Sequence, residues 1–261
     1  MQSYTFFCKS PAKVYLCIRF ISRNTSYFQE IMKTYVIINA MHKEHEQLVR
    51  LLNEVRVYRE DTFEYIEGHL GCCRLILAES GIGKVNAAVK AVELIRHCHP
   101  DAVINTGVAG GIDPAVGVMD VVIGAKVAYH DVDCGPESAL GQVQGLPLYY
   151  EADAALLKVA GGLQTATRLH SGLICSGDQF ITDRAALDRI KSLWPEGLAV
   201  DMESGALAQV CHLYHTPFLS FRIISDTPGA EGHFDQYQNF WDTMADRSFA
   251  VTEALLTAIT R

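Results

Sequence analysis

Four short segments of the chain place acidic or aromatic side chains where a predicted strand ends. The most informative is the apolar run 218–226, which ends in Arg222-Ile223-Ile224-Ser225-Asp226. Pro217 precedes this run and the turn-forming segment 227–229 follows it, a pattern typical of a buried strand in an α/β sheet. Ligands of such sheets bind outside the carboxyl ends of the strands. The carboxylate of Asp226 is therefore placed to act as an acid or a base on a bound molecule.

A second acidic segment is Asp201-Met202-Glu203, where a short predicted strand passes into a helix. Side chains at i and i+2 can both reach a ligand from such a transition, although they cannot do so from a regular helix. A carboxylate in this position can accept hydrogen bonds from two vicinal hydroxyls, such as those of a ribose. The alternative is an N-capping acid followed by ordinary charge in the first helical turn.

Other segments carry weaker signals. Glu44 falls in the first turn of a predicted helix, where stabilisation by the helix dipole is the simpler explanation. Residues 105–111 form a glycine-rich strand-to-turn segment whose backbone can approach a ligand closely. Phe180, in the segment 176–181, lies beside a turn and can form a wall for a flat ring. Residues 80–84 lack the spacing of a phosphate-binding P-loop.

The composition is typical of a soluble protein. Of the 261 residues, 49% are apolar and 20% are charged, which suits a chain with a sizeable core. The formal net charge is -8 and no Lys- or Arg-rich run occurs, so we expect no nucleic-acid partner and no binding to a membrane surface. No apolar stretch approaches the ~18 residues that a membrane-spanning helix requires.

The cysteines and histidines predict neither disulfides nor a metal site. Eight cysteines occur without the spacing of a disulfide framework, and most fall in apolar runs. We interpret them as reduced, buried thiols of a cytoplasmic protein. His42 and His45 are three residues apart, but no third ligand is apparent, so we predict no bound metal.

Residues 1–31 differ from the rest of the chain. Their apolar run 14–18 is interrupted by Arg19 and is too short for the core of a signal peptide. Met32 then precedes the first strand pattern, as a start codon would. We interpret residues 1–31 as a non-native or poorly ordered N-terminal extension, with an ordered addition as the alternative, and residues 32–261 as the functional domain.

From Met32 onward, strand and helix patterns alternate without a repeat or a linker. This alternation predicts an α/β fold: a single-domain, three-layer α/β/α sandwich with a mostly parallel mixed central sheet. The predicted strands cover residues 35–40, 63–70, 72–78, 102–105, 118–128, 169–176, 198–200 and 218–226. The predicted helices cover residues 42–55, 84–97, 153–163, 183–193, 203–212 and 240–260, and residues 134–147 are a predicted loop.

Five motifs together resemble one known family. In chain order they are Ser80-Gly81-Ile82-Gly83-Lys84-Val85, Asn105-Thr106-Gly107-Val108-Ala109-Gly110-Gly111, Ser176-Gly177-Asp178-Gln179-Phe180-Ile181, Asp201-Met202-Glu203 and Arg222-Ile223-Ile224-Ser225-Asp226. Over about residues 32–261 the chain is similar to the bacterial 5′-methylthioadenosine/S-adenosylhomocysteine nucleosidases of the purine nucleoside phosphorylase superfamily. The resemblance implies a nucleoside phosphorylase-like fold, a homodimer and no cofactor. It also implies hydrolysis of the N-glycosidic bond of both adenine nucleosides, in nucleoside catabolism and methionine salvage.

The resemblance further implies roles for the matching residues. Glu44 corresponds to the base that activates the attacking water, and Arg222 lies close to that carboxylate. Glu203 corresponds to the residue that holds the ribose 2′- and 3′-hydroxyls, with Met202 packed against the sugar. Asp226 corresponds to the acid that protonates the adenine ring as the base departs.

The remaining implied roles concern the nucleobase. Ser225 helps to orient the neighbouring acid, Phe180 stacks on adenine, and the backbone of Ile181 reads the amino edge of the ring. Ala109 and Gly110 line the base and water region. Departure of adenine builds positive charge on the sugar, as in glycoside hydrolysis, and needs one protonated and one ionised acid. Different burial and neighbours can produce that pair.

Two segments depart from the family pattern. Asp201 stands where the family often has Glu, and residues 134–147 lack the aromatic residue that usually closes over the 5′-group from the neighbouring subunit. The preferred 5′-substituent therefore stays open. Alternative functions are a nucleoside phosphorylase of the same fold, a hydrolase of another adenine nucleoside such as aminofutalosine, and a non-catalytic nucleoside-binding module. Phosphorolysis is disfavoured because residues 40–44 and 105–108 contain no arginine to hold phosphate.

Overall fold

The computed structural model describes residues 32–61, 63–227, 232–240 and 245–261. The proposed extension at residues 1–31 lies outside these ranges, so its interpretation stays a prediction. Residues 228–229 of the predicted turn and residues 241–244 of the predicted last helix also lie outside them. Lys33–Arg261 forms one compact unit.

Strands and helices alternate along the described residues. The strands are β1 (Thr34–Asn39), β2 (Asn53–Glu60), β3 (Phe63–Leu70), β4 (Cys73–Glu79), β5 (Ala102–Gly111), β6 (Val121–Tyr129), β7 (Tyr150–Glu151), β8 (Leu169–Ser176), β9 (Gly197–Asp201) and β10 (Phe218–Asp226). The helices are α1 (His42–Val49), α2 (Lys84–Cys98), α3 (Ala154–Gly161), α4 (Arg184–Leu193), α5 (Ser204–Leu213), α6 (His233–Asn239) and α7 (Ala245–Ile259). No helix in the described ranges is long and apolar enough to cross a membrane.

The strands form one mixed sheet with β5 at its centre. Their order is β10-β6-β8-β9-β5-β1-β4-β3-β2, and β7 pairs with β6. Because β10 also pairs with β5, the strands β5, β9, β8, β6 and β10 close into a ring from which the others extend. Parallel and antiparallel pairings are equally frequent among the described strands. The sheet is mixed as predicted, but it contains more antiparallel pairings than the predicted mostly parallel sheet.

The register of three strands brings their functional ends together. β10 runs parallel to β5, with Arg222 opposite Gly107. β9 runs antiparallel to β5, but its register sets Val200 opposite Gly110. The side chain of Asp201, which follows Val200, is thereby brought to the carboxyl-terminal half of β5, where β10 also ends.

Helices cover both faces of the sheet, which confirms the predicted three layers. Alternate residues of β1 show the division: Val36 and Ile38 belong to a core shared with α2 and α5. Tyr35 and Ile37 point to the opposite face, into a core shared with α1, α3 and α7. This alternation is the expected consequence of the period-two geometry of a strand with both faces buried.

The predicted helix over residues 42–55 is wrong in its second half. α1 ends at Val49, and tight hydrogen bonds from Leu51 N to Leu48 O and from Leu52 N to Val49 O close its last turn. The chain then enters β2, an edge strand exposed along its whole length. Leu51 and Leu52 continue the apolar spacing of the helix, whereas the alternating and β-branched residues that follow favour a strand.

Two smaller predictions also need correction. The glycine-rich segment 105–111 is not a turn, because β5 continues through it to Gly111. The six described cysteines are free, but Cys72 and Cys134 are exposed, so the prediction of buried thiols is wrong for these two. The four other described cysteines are buried as predicted.

Candidate active site

A cleft lies where β5, β9 and β10 meet α1 and α6. Nine of the ten residues that the sequence nominated line it. These are Glu44, Ala109, Gly110, Phe180, Met202, Glu203, Arg222, Ser225 and Asp226.

Arg222 organises the acidic side of the cleft. Its side chain is 1% exposed, and its Nε lies 2.8 Å from Asp201 Oδ2. Its Nη2 lies 3.2 Å from Glu203 Oε2, and its Nη1 donates to the backbone oxygen of Thr106 at 3.3 Å. A buried guanidinium needs such partners, because its planar donors must be satisfied when water is excluded.

Asp201 lines the cleft and also belongs to the hydrogen-bonded network of Arg222. Besides pairing with Arg222, it accepts hydrogen bonds from the backbone N and the hydroxyl of Ser204. Ser204 Oγ also lies 2.7 Å from Ser220 Oγ and 3.0 Å from Asn105 Nδ2. Asp201 thus accepts a hydrogen bond from the first amide of α5, whereas Glu203 occupies the N-cap position without a side-chain hydrogen bond to the helix.

Glu44 lies in the first turn of α1, beside the glycine-rich part of β5. Its Oε1 accepts a hydrogen bond from the backbone N of Val108 at 3.1 Å, and its Oε2 accepts one from the backbone N of Met41 at 3.3 Å. Burial raises the pKa of Glu44 to about 7, and the Arg222 guanidinium opposes this rise. The opposition is incomplete because the same guanidinium is shared with two other carboxylates. A carboxyl group with this pKa can take a proton near neutral pH.

Glu203 is held from two directions. Its Oε1 accepts a hydrogen bond from the backbone N of Gly83 at 3.0 Å, and its Oε2 accepts one from Arg222 Nη2 at 3.2 Å. Burial raises the pKa of Glu203, Arg222 opposes the rise, and the neighbouring Asp201 adds to it. Each carboxylate oxygen has a further lone pair, so the group can still accept hydrogen bonds from a ligand.

The end of β10 carries the second catalytic candidate. Ser225 Oγ donates a hydrogen bond to Asp226 Oδ1 at 2.7 Å, and both side chains are buried. Ser225 Oγ also lies 3.4 Å from the backbone oxygen of Ala109 on β5. The hydroxyl therefore restrains the rotation of the carboxyl group at the edge of the cleft.

An aromatic pair, Phe180 and Tyr237, also borders the cleft. Phe180 is 47% exposed, and its ring packs edge to face against Tyr237 of α6, with centroids 5.5 Å apart. The hydroxyl of Tyr237 lies 3.6 Å from the sulfur of Met41. The exposed face of Phe180 is suited to stacking on a planar ring.

Ile181 is the one nominated residue that does not line the cleft. Its side chain is buried in a separate core with α4. The nomination concerned its backbone, so that role stays a prediction.

The sequence missed several residues of the site. Met41, Ile82 and Tyr237 line the cleft, although none of them was assigned a role in the site from the sequence. Tyr237 is the hardest to foresee, because it lies on a seven-residue helix and reaches the cleft only through tertiary packing. Ile82 had a signal, since it lies within the first of the five motifs.

The cleft has one basic side chain among its described lining residues, Arg222, and it faces several carboxylates. Its chemistry is therefore suited to proton transfer and to the stabilisation of positive charge. No group of three or more His, Cys, Asp or Glu side chains that could hold a metal ion occurs in the described part of the chain.

Comparison with known proteins finds similarity over most of the chain. Residues 34–257 match the model of the phosphorylase superfamily. The chain is 40% identical over 232 residues to the 5′-methylthioadenosine/S-adenosylhomocysteine nucleosidase of Chromohalobacter salexigens, which covers 86% of this chain and 97% of that protein.

Solved structures show the same similarity. The nucleosidase of the same name from Neisseria meningitidis, in complex with methylthio-immucillin-A, matches with a TM-score of 0.81 and 37% identity, over 87% of this chain and 100% of that one. The futalosine hydrolase of Helicobacter pylori matches with a TM-score of 0.80, but at 23% identity, over 87% of this chain and 98% of that one. At that identity the match shows a shared fold alone.

Proposed function

Because the chain belongs to the phosphorylase superfamily, we propose that it is an N-glycosyl hydrolase that cleaves 5′-methylthioadenosine and S-adenosylhomocysteine to adenine and the 5′-thioribose product. The observation that carries this proposal is the presence of Glu44, Glu203 and Asp226 in a single cleft. These groups supply a base for water, a holder for the ribose and an acid for the nucleobase. The identity and coverage of the named relatives support the choice of substrates.

The spacing along the sheet suits direct attack by water. Glu44 contacts β5 at Val108, whereas Asp226 pairs with Gly110 farther along the same strand. The base for water and the acid for the nucleobase therefore reach the cleft at different points along β5. Attack by water on one side of the anomeric carbon and departure of the nucleobase on the other require two separated groups of this kind.

The reaction then has two proton transfers. Glu44 accepts a proton from the water whose oxygen bonds to the anomeric carbon. The N-glycosidic bond breaks, its electron pair passes to adenine, and Asp226 donates a proton to a ring nitrogen of the leaving base. General acid–base groups of this kind contribute typically ~10²–10⁴-fold each.

Glu203 and Met202 hold the sugar in this proposal. The Glu203 carboxylate accepts hydrogen bonds from the 2′- and 3′-hydroxyls while Gly83 and Arg222 fix its orientation. Positive charge that develops on the ribose is stabilised by the surrounding carboxylates. Phe180 stacks on adenine, and Ala109 and Gly110 border the base.

Hydrolysis is favoured over phosphorolysis by the charges in the cleft. A phosphorylase must hold a dianion beside the anomeric carbon, which requires basic side chains. Arg222, the basic group among the described lining residues, is already engaged by Asp201 and Glu203. A phosphate beside Glu44 would also be repelled by its ionised form.

Acid–base variants test the proposal. Glu44→Gln and Asp226→Asn should each lose at least about 100-fold in kcat for adenine release, with unchanged circular dichroism. Glu46→Gln is the matched control, because Glu46 lies on the same helix but its side chain is 58% exposed and pairs with His42. Near wild-type turnover by either cleft variant would overturn the assignment.

We further propose that the chain works as a homodimer. Ile82, Val85 and Val89 lie just before and along one side of α2 and are 53%, 73% and 53% exposed. An exposed apolar stripe of this kind is typical of a protein interface. Because Ile82 also lines the cleft, a partner on this stripe would adjoin the substrate site. A monomer mass by light scattering at micromolar concentration would contradict the dimer.

The free cysteines support a cytoplasmic location, where the products enter adenine and methionine salvage. Recovery of the native protein in a membrane or extracellular fraction would contradict this location.

A further inference from the structure

We propose that Asp131 is a positioning residue for Glu203, and that it acts through the N-terminus of helix α2. This inference rests on the proposed function, in which Glu203 binds the ribose hydroxyls. Asp131 does not line the cleft, and none of the roles implied by the family resemblance falls on it.

Asp131 joins two segments that follow different strands. Its Oδ2 accepts a hydrogen bond from Lys84 Nζ at 2.8 Å and another from the backbone N of Asp178 at 2.9 Å. The Asp131 side chain is 15% exposed and that of Lys84 is 24% exposed. The Lys84 ammonium also lies 5.2 Å from the centre of the Tyr129 ring. A charge pair that is largely shielded from water holds its geometry better than an exposed one.

Asp178 transmits this restraint to the start of α2. Its Oδ1 accepts a hydrogen bond from the backbone N of Lys84 at 2.7 Å. The preceding amide, Gly83 N, donates to Glu203 Oε1 at 3.0 Å. The consecutive amides of Gly83 and Lys84 at the helix N-terminus therefore donate to different carboxylates, those of Glu203 and Asp178. A shift of this terminus must move the donor that orients Glu203.

The packing leaves little freedom for such a shift to be absorbed. Gly83 adopts a φ of +96°, and a Cβ at this position would lie 3.0 Å from Asp178 Oδ1. A Cβ on Gly177 would lie 2.8 Å from Asp131 Cγ. Backbone and carboxylates are thus in close contact on both sides of the network, so Asp131 determines where the Gly83 amide lies.

Steady-state and single-turnover kinetics of adenine release from 5′-methylthioadenosine test this role. Asp131→Ala should lower kcat/KM by about 10- to 100-fold, because small displacements of binding groups are costly. Asp131→Asn keeps an acceptor for the Asp178 amide and should lose less. Asp133→Ala is the matched control, since Asp133 lies on the same segment and accepts a hydrogen bond from Gly135 N.

A double-mutant cycle distinguishes an effect of Asp131 that acts through Glu203 from a general loss of structure. In a Glu203→Gln background, Asp131→Ala should change the single-turnover rate by no more than about 2-fold, because the group that it positions is already gone. Equal losses in both backgrounds would overturn the proposal, as would an unchanged kcat/KM in Asp131→Ala. If Asp131→Ala does not fold, Lys84→Met provides the same cycle from the other partner. Failure of the wild type to release adenine would instead refute the proposed function.

Discussion

Gly107 lies directly opposite Arg222 in the parallel pairing of β5 and β10. A Cβ on Gly107 would come within 2.8 Å of both Arg222 Nη1 and Glu44 Oε1. The absence of a side chain therefore lets the guanidinium and the carboxylate approach each other over the strand. Gly107 also has a φ of +136°, which L-residues rarely adopt. The glycine in this motif is a requirement of the site rather than a feature of a turn.

Gly107→Ala should therefore reduce turnover by at least about 100-fold, because it displaces the base from the path of the water. Gly135→Ala is the control for backbone strain, since Gly135 has a φ of +84° but nothing lies within 4 Å of its Cβ position. We expect Gly135→Ala to cost some stability and little activity. Equal activity in the two variants would contradict the inference that a Cβ at position 107 displaces Glu44 and Arg222.

The pKa of Glu44 predicts the acidic limb of the pH–rate profile. Because this pKa is raised to about 7, the base is ionised above that pH and protonated below it. kcat/KM should fall by about tenfold for each pH unit below this value. Glu203 also has a raised pKa, so the profile should be repeated with Glu203→Gln, in which the limb should persist. A flat profile between about pH 5 and 8 would exclude Glu44 as the base.

The same pKa predicts an effect on stability. The folded protein keeps a proton on Glu44 between the ordinary value of 4.5 and about 7, whereas the unfolded chain does not. The proton bound by Glu44 in the folded state therefore stabilises the fold at acid pH. This stabilisation is fully present below pH 4.5 and is lost as the pH rises to about 7. Glu44→Gln should therefore raise the melting temperature above neutral pH by a few degrees, with a smaller gain in acid.

Thermal melts at several pH values measure this gain. Glu46→Gln should show none, because its side chain is exposed. A lower melting temperature for Glu44→Gln above neutral pH would mean that the carboxylate stabilises the fold. A higher melting temperature together with lost turnover in Glu44→Gln would show that the ionised carboxylate is needed for activity and lowers stability.

Most of the predicted site residues could be identified from the sequence because they lie at or just after the ends of predicted strands. Ser225 and Asp226 end an apolar run. Ligands of an α/β sheet bind at the carboxyl ends of its strands, so this expectation does not require knowing which strands lie beside β10. The role of Asp201 could not be predicted in this way. It depends on the antiparallel register of β9 with β5, which brings it against Arg222 of β10.

Long-range contacts explain the remaining omissions. Tyr237 reaches the cleft through α6, a helix that is held to the end of β10 by a hydrogen bond from Thr227 N to Gln236 Oε1. The connection of Asp131 to Lys84 spans 47 residues and joins two loops that the sequence does not relate. Spacing along a chain cannot reveal such pairs, because they arise from the order of strands in the sheet.

Adenine release from 5′-methylthioadenosine in phosphate-free buffer tests the central claim most directly. The protein should convert the nucleoside to adenine and free 5-methylthioribose, at a rate that added phosphate does not increase. The two products can be resolved and identified by mass spectrometry. Formation of a ribose-1-phosphate derivative, or no adenine from a folded protein, would contradict the account.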